Sequence, residues 1–299
     1  MRSCVSVEVS SVKYEVVHIT EYDYGEAVSV SHHVARLSPR TLPHQECLHH
    51  ELHIEPSPAV TTTHLDYFGN AMTFFAMQGA YRRLTVRAQS RVAVGARSVP
   101  RPTDTPPWGA ALDRTALPLE AVECVFDSTL IRASAELAAY ARPSFPAGRP
   151  LLEAVTDLTR RIHEDFTFDP KATTVATPLT EVFKSRRGVC QDFAQLEIAC
   201  LRSLGLPARY VSGYLETVPP PGTPRLLGAD ASHAWLAVYC PENGWIDVDP
   251  TNNLLPSGTH VTLALGRDYS DVSPIRGVIL GGGDHSLRVN VDVIRLEEG

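Results

Sequence analysis

The chain has 299 residues, of which 43% are hydrophobic and 20% charged, with a formal net charge of −7. That composition suits one or two globular domains with ample core. An acidic balance with no Lys/Arg run longer than the pairs Arg82–Arg83 and Arg186–Arg187 excludes a nucleic-acid footprint.

No stretch approaches the ~20 continuous apolar residues that span a bilayer. The first residues, MRSCVSVEVSSVKYEV, contain no apolar core of signal-peptide type. The expectation is therefore a cytoplasmic location and no membrane partner. The six cysteines, Cys4, Cys47, Cys124, Cys190, Cys200 and Cys240, form no CxxC pair and are irregularly spaced. They read as reduced thiols rather than a disulfide framework or a structural zinc site.

Residues 12–98 are β-rich by pattern. VKYEVVHITEYDY, ECLHHELHIEPSP and RRLTVRAQSRVAVG alternate apolar and polar residues, and YFGNAMTFFAMQG carries a Gly-Asn turn signal. VPRPTDTPPWG, residues 99–109, holds four prolines and reads as a linker. The expected division is a β-rich region over residues 1–105 and a second unit over 106–299.

Beyond the linker the period changes. Residues 116–142 and 150–163 place apolar residues three and four apart, which predicts helices. In VFKSRRGVCQDFAQLEIACLRSLGLP, Val189, Phe193, Leu196, Cys200 and Leu204 share a helical face, and Gly205 and Pro207 stop it. Strands follow in ARYVSGYLE, HAWLAVYC and GWIDVDP, and again in HVTLAL and LRVNVDVIRL. Helices followed by antiparallel strands indicate an α+β fold.

Cys190 opens its helix. The positive end of the helix dipole favours a thiolate there, the free N–H groups of the first turn suit an oxyanion, and Arg186 and Arg187 add positive charge nearby. A thiol nucleophile needs a base, and the base needs an orienting partner. His233 heads one strand and Asp249 ends the next, across a short turn at Pro241–Gly244. If Tyr239 pairs with Trp245, His233 and Asp249 fall on one face as diagonal neighbours, within side-chain reach. Asp247 is an acidic competitor two residues earlier.

RRGVCQDFAQLEIACLRSLGLPARYVSGYL, DASHAWLAVY and GWIDVDPTNN together resemble the core of the transglutaminase-like superfamily, papain-related folds with a Cys-His-Asp triad. HITEYDYGEAVSVSHHVARLSPR, LDYFGN and GRDYSDVSPIRGV resemble the bacterial members, which carry a β-rich N-terminal region. The resemblance implies Cys190 as nucleophile, His233 as base and Asp249 as its orienter. It implies an amide substrate: a peptide bond, a glutamine side chain, an isopeptide or a small amide. Resolution of the thioester by water makes a peptidase or amidase, and by an amine a transamidase. A non-catalytic interaction module on the same fold is the opposing class. Hydrolysis is the favoured expectation, with no cofactor or metal, and with self-association open to the β-rich region.

Asp192, Tyr214, Trp235, Arg267, Asp268, Tyr269 and Asp271 are candidates for the substrate cleft. His44, His49, His50 and His53 are crowded but lack a supported zinc-ligand spacing. HEDF is not HExxH, and neither GxSxG nor GxxxxGK[ST] occurs.

Overall fold

The structure is a computed structural model that describes residues 11–216 and 232–296. The alternation read in the first hundred residues becomes four strands: β1 (Val12–Ala35), β2 (Gln45–Glu55), β3 (Val60–Leu65) and β4 (Ala71–Val94). The two segments ending at Gly79 and starting at Arg82 form one continuous strand, β4. Gly79, at φ +102°, takes a left-handed conformation inside it that side chains resist. Along β1 the even-numbered residues Tyr14, Val16, His18 and Thr20 are buried, as a period of two requires.

The helical part is less regular than its periodicity suggests. Residues 116–142 yield two short helices, α1 (Leu119–Val122) and α2 (Ala135–Ala141). Between them Asp127 accepts the Ala133 N–H, and the Leu130 N–H goes to Asp268, so side chains capture the donors that a continuous helix would use. Three longer or better-formed helices follow: α3 (Leu151–Asp165), α4 (Leu179–Ser185) and α5 (Cys190–Ser203). A two-residue parallel pair, β5 (Thr167–Phe168) with β6 (Arg187–Gly188), fixes the approach to α5.

A second, antiparallel sheet runs β10-β7-β8-β9, from β7 (Ala208–Leu215), β8 (Ser232–Cys240), β9 (Gly244–Val248) and β10 (His260–Gly266). α5 packs on it, and residues Asp192 to Arg202 of that helix are all buried. A helix enclosed on nearly every side belongs to the centre of a domain. Each large apolar side chain it buries contributes roughly 1.5–3 kcal/mol.

After α6 (Tyr269–Val272) the chain turns back. β11 (Ile275–Gly281) and β12 (His285–Leu296) both pair with β1, not with the second sheet. The β-rich sheet therefore draws strands from both ends of the chain. The physical reason is β1 itself. It breaks register between Asp23 and Val28, so β12 runs beside its first half and β11 beside its second. The main core is shared: Tyr14, Val92 and Val293 of this sheet belong to the same buried cluster as Leu158, Leu196 and Leu236. Among the described residues no helix is long and apolar enough to cross a membrane.

Candidate active site

Val189 is extended (φ −118°, ψ 179°), and Cys190 is the first residue of α5. Asp192, three residues past Val189, reaches back and accepts the Val189 N–H at 2.9 Å. The Thr173 hydroxyl donates to the same oxygen at 2.6 Å. This is the return half of a capping box. It needs Gly188, because a Cβ there would stand 2.8 Å from Asp192 Oδ2. Burial pushes the Asp192 carboxyl above its ordinary value, against the pull of its two donors. Asp192 thus fixes the turn that presents Cys190.

The Val189 carbonyl accepts the N–H groups of Asp192 and Phe193. The N–H groups of Cys190 and Gln191, at the open end of the helix, have no carbonyl a turn earlier within it. The two arginines expected to favour a thiolate are committed elsewhere. Arg186, with φ 56°, lies over the rings of Phe183, Phe166 and Tyr140 at 4.4, 4.6 and 5.0 Å. Arg187 pairs with Asp169 at 3.1 Å.

The β8–β9 hairpin has the register expected from sequence, Tyr239 opposite Trp245. His233 Nε2 lies 2.7 Å from Asp249 Oδ2, and both residues are buried. Cys190 lines the same cleft as this imidazole and is one of the groups that raise its pKa. With Nε2 engaged by Asp249, Nδ1 is the ring nitrogen left for the thiol. Burial alone would lower the His233 pKa. The bonds and charges of Asp249 and Cys190 outweigh it and raise the group to about 10.

Asp249 accepts five hydrogen bonds. Its Oδ1 takes the N–H groups of Thr251 and Asn252, and its Oδ2 takes His233, the Asn252 side-chain amide at 2.7 Å and His260 Nε2 at 3.1 Å. Burial works against its charge, but these donors hold the carboxyl well below the usual carboxylate range. Asp247 is excluded as the partner of His233. It accepts from Trp235 Nε1 at 2.7 Å and pairs with Arg97, at the end of the β-rich sheet.

His260 and Asn252 were not anticipated from the sequence. His260 is fully buried, packs edge-on against Trp235, and has Thr259 Oγ1 at 3.1 Å from its Nδ1. Nothing in HVTLAL marks its first residue as functional. Asn252 had a weak signal, as an Asn three residues after an Asp in a turn. His233, Asp249 and His260 also place three metal-ligating atoms within 4.8 Å of one another. The 2.7 and 3.1 Å contacts to one oxygen are hydrogen-bond separations. Cys47, Cys124, Cys190, Cys200 and Cys240 are unpaired among the described residues; Cys4 lies outside them.

Cys190 and His233 open onto a cleft of about 530 Å³. Of the residues expected around substrate, Tyr269 lines it. The others do not. Tyr214 is buried behind the wall with its hydroxyl 2.9 Å from His18 Nδ1. Trp235 is buried against Asp247 and His260. Arg267 pairs with Asp271, and Asp268 caps α6. The far wall comes from a place the sequence did not suggest: Thr20 and Tyr22 of β1 with Leu287 and Val289 of β12.

Residues 14–93 match the bacterial transglutaminase-like N-terminal region, and residues 139–250 match the transglutaminase-like superfamily. A Mycobacterium tuberculosis protein is 41% identical over 307 residues, covering 99% of this chain and 97% of its own. A Pseudomonas aeruginosa protein-glutamine gamma-glutamyltransferase is 31% identical over 155 residues, 43% of this chain but 23% of that protein. A solved structure from Cytophaga hutchinsonii, titled as a candidate cysteine protease, superposes with a TM-score of 0.77 at 21% identity, covering 97% of this chain and 92% of that one, and so shares the fold. The chain belongs to the transglutaminase-like superfamily, with the bacterial N-terminal region ahead of the core.

Proposed function

We propose that the protein is a cysteine-dependent amide hydrolase. The observation that carries this reading is that Cys190 and His233 share one cleft at the start of α5 and β8, with 2.7 Å between His233 Nε2 and Asp249 Oδ2 behind them. The Cys190 sulfur attacks the amide carbonyl carbon, and the N–H groups of Cys190 and Gln191 hold the oxyanion. The C–N bond breaks as protonated His233 gives its proton to the leaving nitrogen. Water, deprotonated by His233, then attacks the thioester, and the carboxylic acid leaves as the thiol is restored. Asp249 keeps the imidazole oriented and supports its charge throughout.

Similarity to a protein-glutamine gamma-glutamyltransferase over 43% of the chain favours a second reading, transfer to an amine. Hydrolysis is preferred on two grounds. Water at ~55 M is the default acceptor unless a site binds the amine. No Asp or Glu is among the described residues lining the cleft, so an alkylammonium has no carboxylate to meet there. Two measurements test the proposal. Iodoacetamide at mildly acidic pH should label Cys190 faster than the other thiols, and equal labelling would refute the activated nucleophile. Ammonia release from amide substrates, with and without added amine, separates the readings: incorporation of amine in preference to water would reverse the choice.

A further inference from the structure

The reading of Cys190 as an amide-cleaving nucleophile is the starting point. From it we infer that the acyl group accepted at this site carries a large, uncharged, apolar side chain, and that the β-rich sheet selects it.

The cleft is walled by two parts of the fold. On one side β1 and β12 present cross-strand pairs on one face: Tyr22 opposite Leu287, and Thr20 opposite Val289. On the other side stand Phe168, Tyr210 and Tyr269. Among the described residues that line the cleft there is no Asp, Glu, Lys or Arg. Both ring nitrogens of His18 on the β1 wall are already engaged: Nδ1 meets the Tyr214 hydroxyl, and Nε2 meets Thr20 Oγ1 at 3.1 Å. Burial holds His18 neutral, with its pKa down at about 4, so the wall adds no charge at neutral pH.

Three of the apolar side chains at this site remain half uncovered. Phe168 and Leu287 are each 52% exposed and Val289 47%. An apolar surface left open beside a reactive thiol is covered favourably by an apolar ligand group. A charged side chain placed there would lose its hydration with nothing to replace it. The volume of about 530 Å³ is within the range, roughly 300–1,000 Å³, of sites that enclose a small ligand. The walls act on the acyl part because it stays bonded to Cys190 through both steps, whereas the amine leaves after the first.

The test uses the full chain and a series of N-acetyl amino-acid chloromethyl ketones carrying the side chain of Leu, Phe, Asp or Lys. Iodoacetamide serves as the probe with no side chain. Labelling rates at Cys190 are read by mass spectrometry. The Leu and Phe ketones should react at least tenfold faster than the Asp and Lys ketones. In Leu287→Lys, each rate taken relative to that variant's own iodoacetamide rate, the Asp ketone should gain on the Leu ketone. A spread below tenfold, with iodoacetamide still selective for Cys190, overturns the substrate class and leaves the nucleophile standing. No selectivity for Cys190 with any probe overturns both.

Discussion

His260 Nε2 and His233 Nε2 donate to the same oxygen, Asp249 Oδ2, at 3.1 and 2.7 Å. To donate, His260 must carry its proton on Nε2, and Thr259 can then supply the hydrogen bond to Nδ1. Burial lowers the His260 pKa, against the pull of Asp249, so it serves as a neutral donor. Replacing it removes one of the five bonds that keep Asp249 ionised. The Asp249 pKa is depressed in the folded protein, and losing a donor must move it upward. His260→Phe should therefore lower kcat/KM about tenfold, in the range of lost supporting hydrogen bonds around reactive groups. The acid limb of its pH profile should also move to higher pH. His260→Gln, which retains a donor, should recover part of both effects. An unmoved acid limb would reduce His260 to a packing residue.

Asp249 and Asp247 are two residues apart, yet they face different partners. Asp249→Asn should cut kcat/KM by roughly 10³–10⁴, the scale seen when an amide replaces the orienting carboxylate of a triad. Asp247→Asn removes the charge that pairs with Arg97 and leaves a single amide oxygen to accept from Trp235. It should act mainly on stability, lowering the urea midpoint while kcat/KM falls less than tenfold. The opposite ranking of the two variants in an amide-hydrolysis assay would reassign the base's partner.

Gly188 and Asp192 form a pair in which each limits the other. Gly188→Ala should destabilise by roughly 1–3 kcal/mol, the scale of a buried hydrogen bond broken on one side. The added methyl group displaces the carboxylate that holds Val189 N–H. In an Asp192→Ala background the same substitution should cost less, because Oδ2 and Cγ are gone and only the contact with Cβ at 2.9 Å remains. Urea denaturation of the two single variants and the double variant gives the coupling directly. Additive losses would separate the glycine from the cap.

The parts of this site that were legible in the sequence are the local ones. His233 and Asp249 sit on one hairpin, and a short turn with alternating side chains fixes which residues share a face. Cys190 was legible because a helix start has its own punctuation, Gly188 before it and Asp192 within it. Asp192 was visible as a first-turn carboxylate, but its partner Thr173 lies 19 residues upstream, and no local pattern joins them. The return of β12 to β1 was equally hidden. LRVNVDVIRL has the period of a strand, and a period names no partner. That one pairing supplies Leu287 and Val289 to the cleft, so the far wall of the site depended on topology. Arg186 was misread for a related reason: its charge was evident, but the aromatic rings that hold it, Tyr140, Phe166 and Phe183, come from three separate segments.

Glu197 is fully buried on α5, two turns beyond Cys190, and accepts the Thr159 hydroxyl at 2.8 Å. Burial, with the nearby charge of Asp249 adding to it and the Thr159 bond opposing it, raises its pKa to about 8. It is therefore a neutral acid in the folded protein at pH 7. In the unfolded chain a glutamate ionises near ~4.3. Between those two values the folded state holds a proton that the unfolded state has released, so stability contributed by this group falls as pH rises. The loss starts above ~pH 4.3, continues to about pH 8 and then levels off, with a total on the order of a few kcal/mol. Glu197→Gln keeps an acceptor for Thr159 and removes the titration. The variant should show a flatter dependence of unfolding free energy on pH between 5 and 8, and should gain on the parent protein as pH rises through that window. Urea unfolding at pH 5, 6.5 and 8 measures it, and parallel curves for the two proteins would show that Glu197 is already ionised in the folded state.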